Sequence, residues 1–481
     1  MRVLMLGWEF PPFIAGGLGT ACYGLTKAMA NAGHEVLFVL PRRIDRSHSS
    51  HVTLLTPNDL LKPDQIDQGR ETSVSQARFA PGVTTRTEAV TQTEREFAKK
   101  VEMFEIGADF SSPYREFTGE HAVMLESLIE AIGKARSRKH LKVGSIDLPM
   151  ETATSDLLRA AWEQAESLDQ GGFDYGSDLM GDAQRYALLS VALASQLQFD
   201  VIHAHDWLTY PAGMAVRAMS GKPLVVQVHA TEFDRSGEHI NQQVYDIERA
   251  GVHGADRVIA VSQLTKNILT SRYDVPADKV DVVYNGVVQD DQPESDIRIE
   301  KNDKIVLFLG RITMQKGPEY FIRAAKRVLE KIPNAKFVVA GSGDGAIRMI
   351  NEAAELGIGQ KVLFTGFLRG RDVERIFDLA SCYVMPSVSE PFGIAALEAM
   401  HHDTPVIISK QSGVSEVLTH ALKVDFWDTE EMANKIVAVL KYPPLSQTLR
   451  EHGAIEVRGL TWDGAAEKCI KTYARAIAAQ S

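Results

Sequence analysis

The chain lacks the sequence features that mark several classes of protein. Its 481 residues include only three cysteines, too few and too far apart for a disulfide framework or a zinc ribbon: Cys22, Cys382 and Cys469. No apolar run approaches the ~18 residues that a membrane-spanning helix needs. A net charge of −11, without a basic tract interleaved with aromatic residues, argues against nucleic-acid binding. These absences predict a cytoplasmic globular protein with no nucleic-acid partner and no membrane span.

Several catalytic signatures are also missing. The sequence contains no G-x-S-x-G nucleophile elbow, no G-x-x-x-x-G-K phosphate loop and no H-E-x-x-H zinc motif. It also contains no D-x-D, which weakens any mechanism in which a metal ion holds a diphosphate. Cationic side chains would then have to offset the charge of such a leaving group.

What the sequence does contain is a regular alternation of apolar strands and amphipathic helices. This alternation predicts an α/β fold of two Rossmann-like, doubly wound domains that face each other across a cleft. We place the first domain at residues 1–290 and the second at 304–460, joined by a polar, acidic linker at 291–303. Residues 461–481 have the apolar stripe of a helix, which we expect to pack back on the first domain. Residues 42–181 interrupt the alternation and form an insertion without a recognisable motif.

The apolar runs that we predict as strands are short and lie between turn residues or helical segments. They are Val3–Leu6, Glu35–Leu40, Phe199–His203, Leu224–Val228, Arg257–Val261, Val280–Tyr284, Ile305–Leu309, Lys336–Ala340, Val362–Thr365, Cys382–Met385 and Val406–Ser409. In parallel sheets, ligands bind beyond the carboxyl ends of the strands. The loops that follow these runs are therefore the candidate site.

A glycine-rich turn, Ala15-Gly16-Gly17-Leu18-Gly19, follows the first strand and precedes a predicted helix at Thr20–Asn31. Backbone N–H groups and the helix dipole converge at such a point and favour an anion. We therefore interpret Gly16 and Gly17 as an anion-binding turn. The alternative is a turn that is merely tight.

Arg311 and Lys316 lie in the loop after the first strand of the second domain. Arginine offers a planar fork for phosphate oxygens and lysine a point charge, so the pair suits a diphosphate. Solvated loop cations are the alternative interpretation.

Histidines end two neighbouring strands of the first domain. His203 and His205 share one face of a strand that leads to Asp206, but no third or fourth ligand stands at a matching spacing, which disfavours a metal site. We expect His203 at the core edge and His205 with Asp206 beside a polar substrate. His229 ends the next strand, where a polar residue meets the ligand edge of the sheet; a structural histidine is the alternative.

The stretch Ser387–Met400 contains two glutamates, Glu390 and Glu398, with seven residues between them. We predict Ser389 as the N-cap of a helix that holds both carboxylates. They would then lie ~12 Å apart along the helix axis. That distance suits an extended ligand better than a pair of carboxylates that hydrolyse one glycosidic bond.

Together these motifs resemble those of the retaining GT-B glycosyltransferases, and within them the glycogen and starch synthase group and its close relatives. The resemblance rests on four elements, which occur in family order: Gly16-Gly17-Leu18-Gly19, His203-Ala204-His205-Asp206-Trp207, Arg311 with Lys316-Gly317, and Glu390 and Glu398 in the form Ser-x-x-Glu-Pro-Phe-Gly. Ile14 and Ala15 stand where the synthases usually have a lysine, which leaves the nucleotide preference open.

The resemblance implies a role for each matching residue. The catalytic residues would be His229, Glu390, Arg311 and Lys316. The donor-binding residues would be Gly16, Gly17, Gly341, Gly366, Phe392, Gly393, Ile394 and Glu398, with the ribose at Glu398. His205 and Asp206 would lie on the acceptor side. Neither a metal nor a cofactor is expected.

The resemblance therefore implies a retaining, metal-independent hexosyltransferase that moves glucose from ADP- or UDP-glucose to an α-glucan, as glycogen synthase does. Two alternatives stay open. The same chemistry could serve a small sugar, a sugar phosphate or a lipid-linked acceptor, or the chain could be a nucleotide-sugar sensor without catalytic activity. Assembly into a homo-oligomer is also left open.

Overall fold

The structure of the chain is a computed structural model. It describes residues 1–11, 17–41, 183–287 apart from six positions (184, 185, 188, 189, 192 and 196), and 304–480. It also describes the backbone of four short strands between residues 53 and 149. The predicted linker at 291–303, Gly16, and most of the predicted insertion lie outside the described residues.

The first sheet contains eight of the described strands, and all its neighbouring strands are parallel. In the order in which they occur along the chain, the strands are β1 (Arg2–Leu6), β2 (Glu35–Leu40), β3 (Thr53–Leu55), β4 (Val101–Glu105), β7 (Val201–His205), β8 (Leu224–Val228), β9 (Arg257–Ala260) and β10 (Val280–Val282). A separate antiparallel pair is formed by β5 (His140–Val143) and β6 (Ile146–Pro149). The order across the sheet is β10-β9-β8-β7-β1-β2-β4-β3. The strand order reverses between β1 and β7, so the loops after these strands leave a crevice.

The second sheet contains six parallel strands in the order β13-β12-β11-β14-β15-β16. They are β11 (Lys304–Leu309), β12 (Ala335–Ala340), β13 (Val362–Gly366), β14 (Cys382–Met385), β15 (Val406–Ser409) and β16 (Leu422–Val424). Here the order reverses between β11 and β14. The loop with Arg311 and Lys316 follows β11, and the loop with Glu390 follows β14. Both therefore emerge at the reversal point.

Helices connect the strands of both sheets. They are α1 (Gly17–Asn31), α2 (Tyr210–Ser220), α3 (Glu232–Ser236), α4 (Gln242–Gly254), α5 (Gln263–Arg272), α6 (Pro318–Lys331), α7 (Ala346–Glu355), α8 (Arg371–Leu379), α9 (Ile394–His401), α10 (Thr429–Lys441), α11 (Pro443–Val457) and α12 (Trp462–Ala478). The predicted fold class, two doubly wound α/β sheets, is confirmed. Four predicted strands have the observed bounds without change: Glu35–Leu40, Leu224–Val228, Cys382–Met385 and Val406–Ser409.

The last helix, α12, packs on the first sheet although it follows the second in the chain. Its Trp462, Cys469 and Tyr473 are buried in one cluster with residues of β1, α1 and β2. Trp462 fits against Gly24, where a Cβ atom would lie 2.3 Å from the indole ring. The Tyr473 hydroxyl group lies 2.6 Å from Nδ1 of His203. The helix thus closes the face of the first sheet that α1 only partly covers.

All three cysteines are buried free thiols. Within the part of the chain that the structure describes, no helix is both long enough and apolar enough to cross a membrane.

Candidate active site

The loop after β14 differs from the sequence prediction. Helix α9 begins at Ile394, after Gly393 with a φ of 112°, and not at the predicted cap Ser389. Glu390 therefore lies outside the helix. Its N–H group donates to the carbonyl of Gln411, and its own carbonyl accepts from the N–H group of Gly413. These two bonds hold Glu390 extended beside the loop after β15, so the two glutamates do not share one helix as predicted.

Lys316 and Glu390 form an ion pair at the base of the cleft. The Lys316 ammonium lies 2.6 Å from Oε2 of Glu390, and the Ser387 hydroxyl donates to the same oxygen at 3.0 Å. The Glu390 side chain is only 8% exposed, against 23% for Lys316. Two residues that were predicted separately, one for the phosphates and one for the sugar, are thus direct neighbours.

Backbone contacts fix the loop that carries Lys316. Gly317 has a φ of 61°, and a Cβ atom there would lie 2.3 Å from the carbonyl oxygen of Pro386. The carbonyl of Gln315 accepts from the N–H group of Val388 at 2.9 Å. The loops after β11 and β14 are therefore joined along their backbones, and glycine is required where they approach most closely.

The next loops along the sheet pack in the same way. The N–H group of Gly341 donates to the carbonyl of Gly366, and that of Ile312 donates to the carbonyl of Ser342. Gly341 has a φ of 141°, and a Cβ atom there would lie 1.9 Å from the carbonyl oxygen of Gly310. The predicted donor residues Gly341 and Gly366, the latter at the end of β13, thus lie side by side near the partly buried Arg311.

Four predicted donor residues lie at the start of α9 or within it: Phe392, Gly393, Ile394 and Glu398. The Phe392 ring is buried and faces Tyr284 of the first half, with a centroid distance of 6.0 Å. Ile394 approaches Gly17: its Cδ1 atom would be 3.9 Å from a Cβ on that glycine. The first turn of α1 therefore lies opposite the first turn of α9. Glu398 lies one turn further along α9, where burial raises its pKa to about 7.

Three histidines of the first half, His203, His205 and His229, form a column in which each ring packs on the next. His203 and His205 are fully buried, and their ring centroids are 4.2 Å apart. Nδ1 of His205 lies 2.9 Å from Nε2 of His229. His229 is partly exposed and lies just beyond β8. His205 therefore lies behind His229, which differs from the predicted direct contact with a polar substrate.

Asp206 has a φ of 60°, which is uncommon for a residue with a side chain. Its carboxylate accepts from the N–H group of His229 at 2.7 Å and from that of Ala230 at 3.4 Å. Burial raises its pKa to about 6. The carboxylate thus anchors the backbone on which His229 is mounted.

Short helix α3 follows His229 and contains a buried ionic network. Arg235 pairs with Glu232 at 3.1 Å and with Glu248 of α4. Thr231 and Asp234 form a capping box at the start of the helix. The segment after His229 is therefore held on several sides by charged groups that are themselves paired.

Asp234 also links the two halves of the molecule. Its Oδ1 accepts a hydrogen bond from the hydroxyl group of Ser389, the residue before Glu390. The His229 loop and the Glu390 loop are therefore in direct contact. This link was not predicted; the T-x-x-D spacing from Thr231 to Asp234 is the sequence signal that could have indicated a fixed side chain there.

A second polar link lies at the rim. Both oxygens of Glu416 accept from backbone N–H groups at the start of α5, from Gln263 at 2.8 Å and from Leu264 at 2.7 Å. Tyr284 donates to the same carboxylate at 3.0 Å. A carboxylate of the second half thus occupies the N-terminus of a helix of the first half, where negative charge is favoured.

No group of three or more histidine, cysteine, aspartate or glutamate side chains is arranged to hold a metal ion in the described ranges. The polar groups that converge on the cleft are cations, carboxylates and a hydrogen-bonding histidine. This combination can bind a polar, anionic substrate between two sheets.

Comparison with protein families covers most of the chain in three segments. A model described as starch synthase catalytic domain matches residues 2–74, one described as glycosyltransferase family 4 matches residues 178–291, and one described as glycosyl transferases group 1 matches residues 290–455.

Individual relatives agree with these matches. An uncharacterized glycosyltransferase of Methanocaldococcus jannaschii is 37% identical over 240 residues, which cover 46% of this chain and 60% of that protein. A glycogen synthase of Mycobacterium tuberculosis is 24% identical over 87% of this chain and 80% of its own length. A D-inositol 3-phosphate glycosyltransferase of Mycolicibacterium smegmatis is 29% identical over 58% of this chain and 68% of its own length.

Solved structures show the same fold at low identity. Sucrose-phosphate synthase from Thermosynechococcus elongatus superposes with a TM-score of 0.63 and 19% identity, over the full length of both chains. The Anabaena protein HepE, in complex with UDP and glucose, superposes with a TM-score of 0.60 and 17% identity over 99% of this chain and all of its own. The chain is a glycosyltransferase of the GT-B type, related to glycogen synthase. The expected resemblance to the GT-B glycosyltransferases and the expected activity of a glycosyltransferase are confirmed. Retention of configuration and independence from metal ions stay predictions.

Proposed function

We propose that this glycosyltransferase moves glucose from ADP- or UDP-glucose to an α-glucan and retains the configuration of the transferred sugar. The observation that carries the proposal is the Lys316–Glu390 ion pair, which contacts the His229 loop through Ser389 and Asp234. A cation for the phosphates, a carboxylate for the sugar and a hydrogen-bonding histidine are thus held in one cleft. The fold alone would not indicate this chemistry.

The donor would lie across the second sheet. Arg311, Lys316 and the backbone of Gly17 would hold the diphosphate, since a helix N-terminus and cationic side chains favour anionic oxygens. Glu390 would accept hydrogen bonds from hydroxyl groups of the transferred glucose. Glu398, one helical turn into α9, would accept hydrogen bonds from the ribose.

In the proposed reaction the bond between glucose C1 and the diphosphate oxygen breaks, and the acceptor hydroxyl oxygen bonds to C1 on the same face. The acceptor proton passes to the departing phosphate oxygen. The charge that develops on the diphosphate is offset by Arg311 and Lys316, which are in place beforehand. No protein nucleophile takes part.

A different acceptor is the second candidate. The relative from Mycolicibacterium smegmatis has a name that specifies D-inositol 3-phosphate, a small phosphorylated acceptor, at higher identity than the glycogen synthase. The same donor site would then serve a small sugar, a sugar phosphate or a lipid-linked sugar. A sensor without activity is disfavoured, because the cationic and acidic residues expected of the catalyst are all present.

The test is a panel assay of the purified chain. ADP-glucose and UDP-glucose are each offered with glycogen, with glucose phosphates and with inositol phosphate, and products are identified by mass and by the anomeric coupling constant in NMR spectra. We expect α-linked extension of glycogen from one of the two donors. Extension of a small acceptor alone would favour the second candidate. Donor binding without turnover on any acceptor would overturn the proposal.

A further inference from the structure

The imidazoles of His205 and His229 meet nitrogen to nitrogen beneath the cleft. Nδ1 of His205 lies 2.9 Å from Nε2 of His229, and the ring planes differ by 29°. His205 is fully buried on β7, whereas His229 is partly exposed. Because Nε2 of His229 is turned into the protein, its Nδ1 is the ring nitrogen left to meet a substrate.

The contact between two neutral rings requires one proton, and there are two ways to supply it. If His229 donates from Nε2, the proton of His205 must be on its own Nε2. That nitrogen is buried and has no hydrogen-bond partner among the described residues. If His205 donates from Nδ1, its Nε2 has only a lone pair. An unpaired buried N–H group is rarer in native structures than an under-satisfied acceptor, so the second arrangement is favoured.

If one of the two imidazoles had a proton on both nitrogens, that ring would have to be the donor. The buried surroundings oppose such a positively charged ring. Burial lowers the pKa of His229 to about 3 and lowers that of His205 well below its usual value. The other ring packed on His205 is His203, whose Nδ1 lies 2.6 Å from the Tyr473 hydroxyl group. Burial lowers the pKa of His203 to about 3 as well. The column is therefore neutral near pH 7.

We propose that His205 is a positioning residue that donates its Nδ1–H to Nε2 of His229 and so places the proton of His229 on Nδ1. His229 then faces the cleft as a hydrogen-bond donor. Asp206, the next residue, fixes the backbone N–H group of His229. Two consecutive residues thus determine both the position of His229 and the nitrogen that has its proton.

The consequence for catalysis rests on the proposed function. An N–H donor at this point suits an oxygen acceptor, such as a hydroxyl oxygen of the transferred sugar or an oxygen of the diphosphate. It does not suit a general base, which needs a lone pair to take a proton. His229 would therefore bind and orient the donor and would not deprotonate the acceptor.

The experiment uses the full chain in three forms: unmodified, His205→Asn and His205→Leu. Asparagine places an amide N–H group close to the position of Nδ1, whereas leucine has a similar volume and no donor. Nitrogen-15 NMR spectra of histidine-labelled protein, with His229→Gln used to assign the signal, report which nitrogen of His229 is protonated. We expect Nδ1–H in the unmodified chain and in His205→Asn, and a shift towards Nε2–H in His205→Leu.

Activity provides the second measurement. Loss of one hydrogen bond that orients a side chain should lower kcat about tenfold in His205→Leu, while His205→Asn should keep most of it. Equal losses in two folded variants, or an Nε2–H form of His229 in the unmodified chain, would overturn the proposal. If His205→Leu does not fold, the spectrum of the unmodified chain still decides. That spectrum needs no substrate, so a failure of the proposed function would be recognised separately.

Discussion

The ammonium of Lys316 lies 2.6 Å from a carboxylate oxygen of Glu390, a residue 74 positions later in the chain. The carboxylate is nearly buried and is held by Ser387 on its other side. The cation is therefore in place before a donor arrives, and a phosphate oxygen would share it with Glu390. Such preorganisation avoids the cost of ordering the side chain during the reaction.

Replacing Lys316 by alanine should lower kcat/KM at least tenfold. A hydrogen bond to a charged group is worth about 1.5–3 kcal/mol, and each ~1.4 kcal/mol corresponds to a factor of ten in rate. Steady-state kinetics with the active donor measures the effect. Lys410→Ala is the matched control, because Lys410 forms an ion pair of similar length with Asp425 on the exposed surface, and there we expect no change in kcat/KM. Similar losses in both variants would contradict the assignment of Lys316.

The affinity for the donor should depend on pH through Glu398. Burial raises the pKa of this side chain to about 7, so it is mostly protonated at pH 6 and mostly ionised at pH 8. The ionised form accepts two hydroxyl hydrogen bonds from a ribose, so KM for the donor should fall as the pH rises from 6 to 8. Burial also raises the pKa of Asp206 to about 6, and that group is unchanged in Glu398→Gln. The variant should lose the part of the pH dependence that Glu398 causes; identical profiles would refute the role.

Gly341→Ala should separate the loops that hold the donor. A Cβ atom at this position would lie 1.9 Å from the carbonyl oxygen of Gly310, and the φ of 141° is itself strained for alanine. We expect a loss of about 2 kcal/mol or more in unfolding free energy and a higher KM for the donor. Thermal unfolding and donor titration measure the two effects. Gly359→Ala is the control, since the nearest atom to its Cβ would be at 3.8 Å, and it should change neither.

Glu416→Ala should loosen the association of the two halves. The variant loses the carboxylate of the second half that caps helix α5 of the first half. We expect a larger radius of gyration by small-angle X-ray scattering and a KM for the donor raised about threefold, since such caps contribute ~1 kcal/mol. Glu456→Ala removes a carboxylate that likewise accepts from two consecutive backbone N–H groups, those of Thr419 and His420, but within the second half. That variant should lose stability without a change in shape, and an equal expansion in both would argue against the link.

Much of the fold could be predicted because buried parallel strands are short apolar runs between turn residues. The runs Cys382–Met385 and Val406–Ser409 were located without error for this reason. The predicted start of α9, with Ser389 as the N-cap, lies several residues before the observed start at Ile394. Ser389 has the chemistry of an N-cap, but its hydroxyl group bonds to Asp234 instead, and the backbone of Glu390 bonds to Gln411 and Gly413. Tertiary contacts thus outweighed the local preference for a helix.

The order of residue types along the chain indicates which residues could do chemistry and at which strand ends they lie. His229, Lys316, Glu390 and Glu398 could all be recognised from the sequence as candidate site residues. Which of them touch is known from the folded chain alone: Lys316 contacts Glu390, His205 contacts His229, and Ser389 contacts Asp234. These contacts depend on the order of strands in each sheet and on how the two sheets meet. Local patterns of apolar and polar residues do not encode that order, because it is set by packing between segments far apart in the chain.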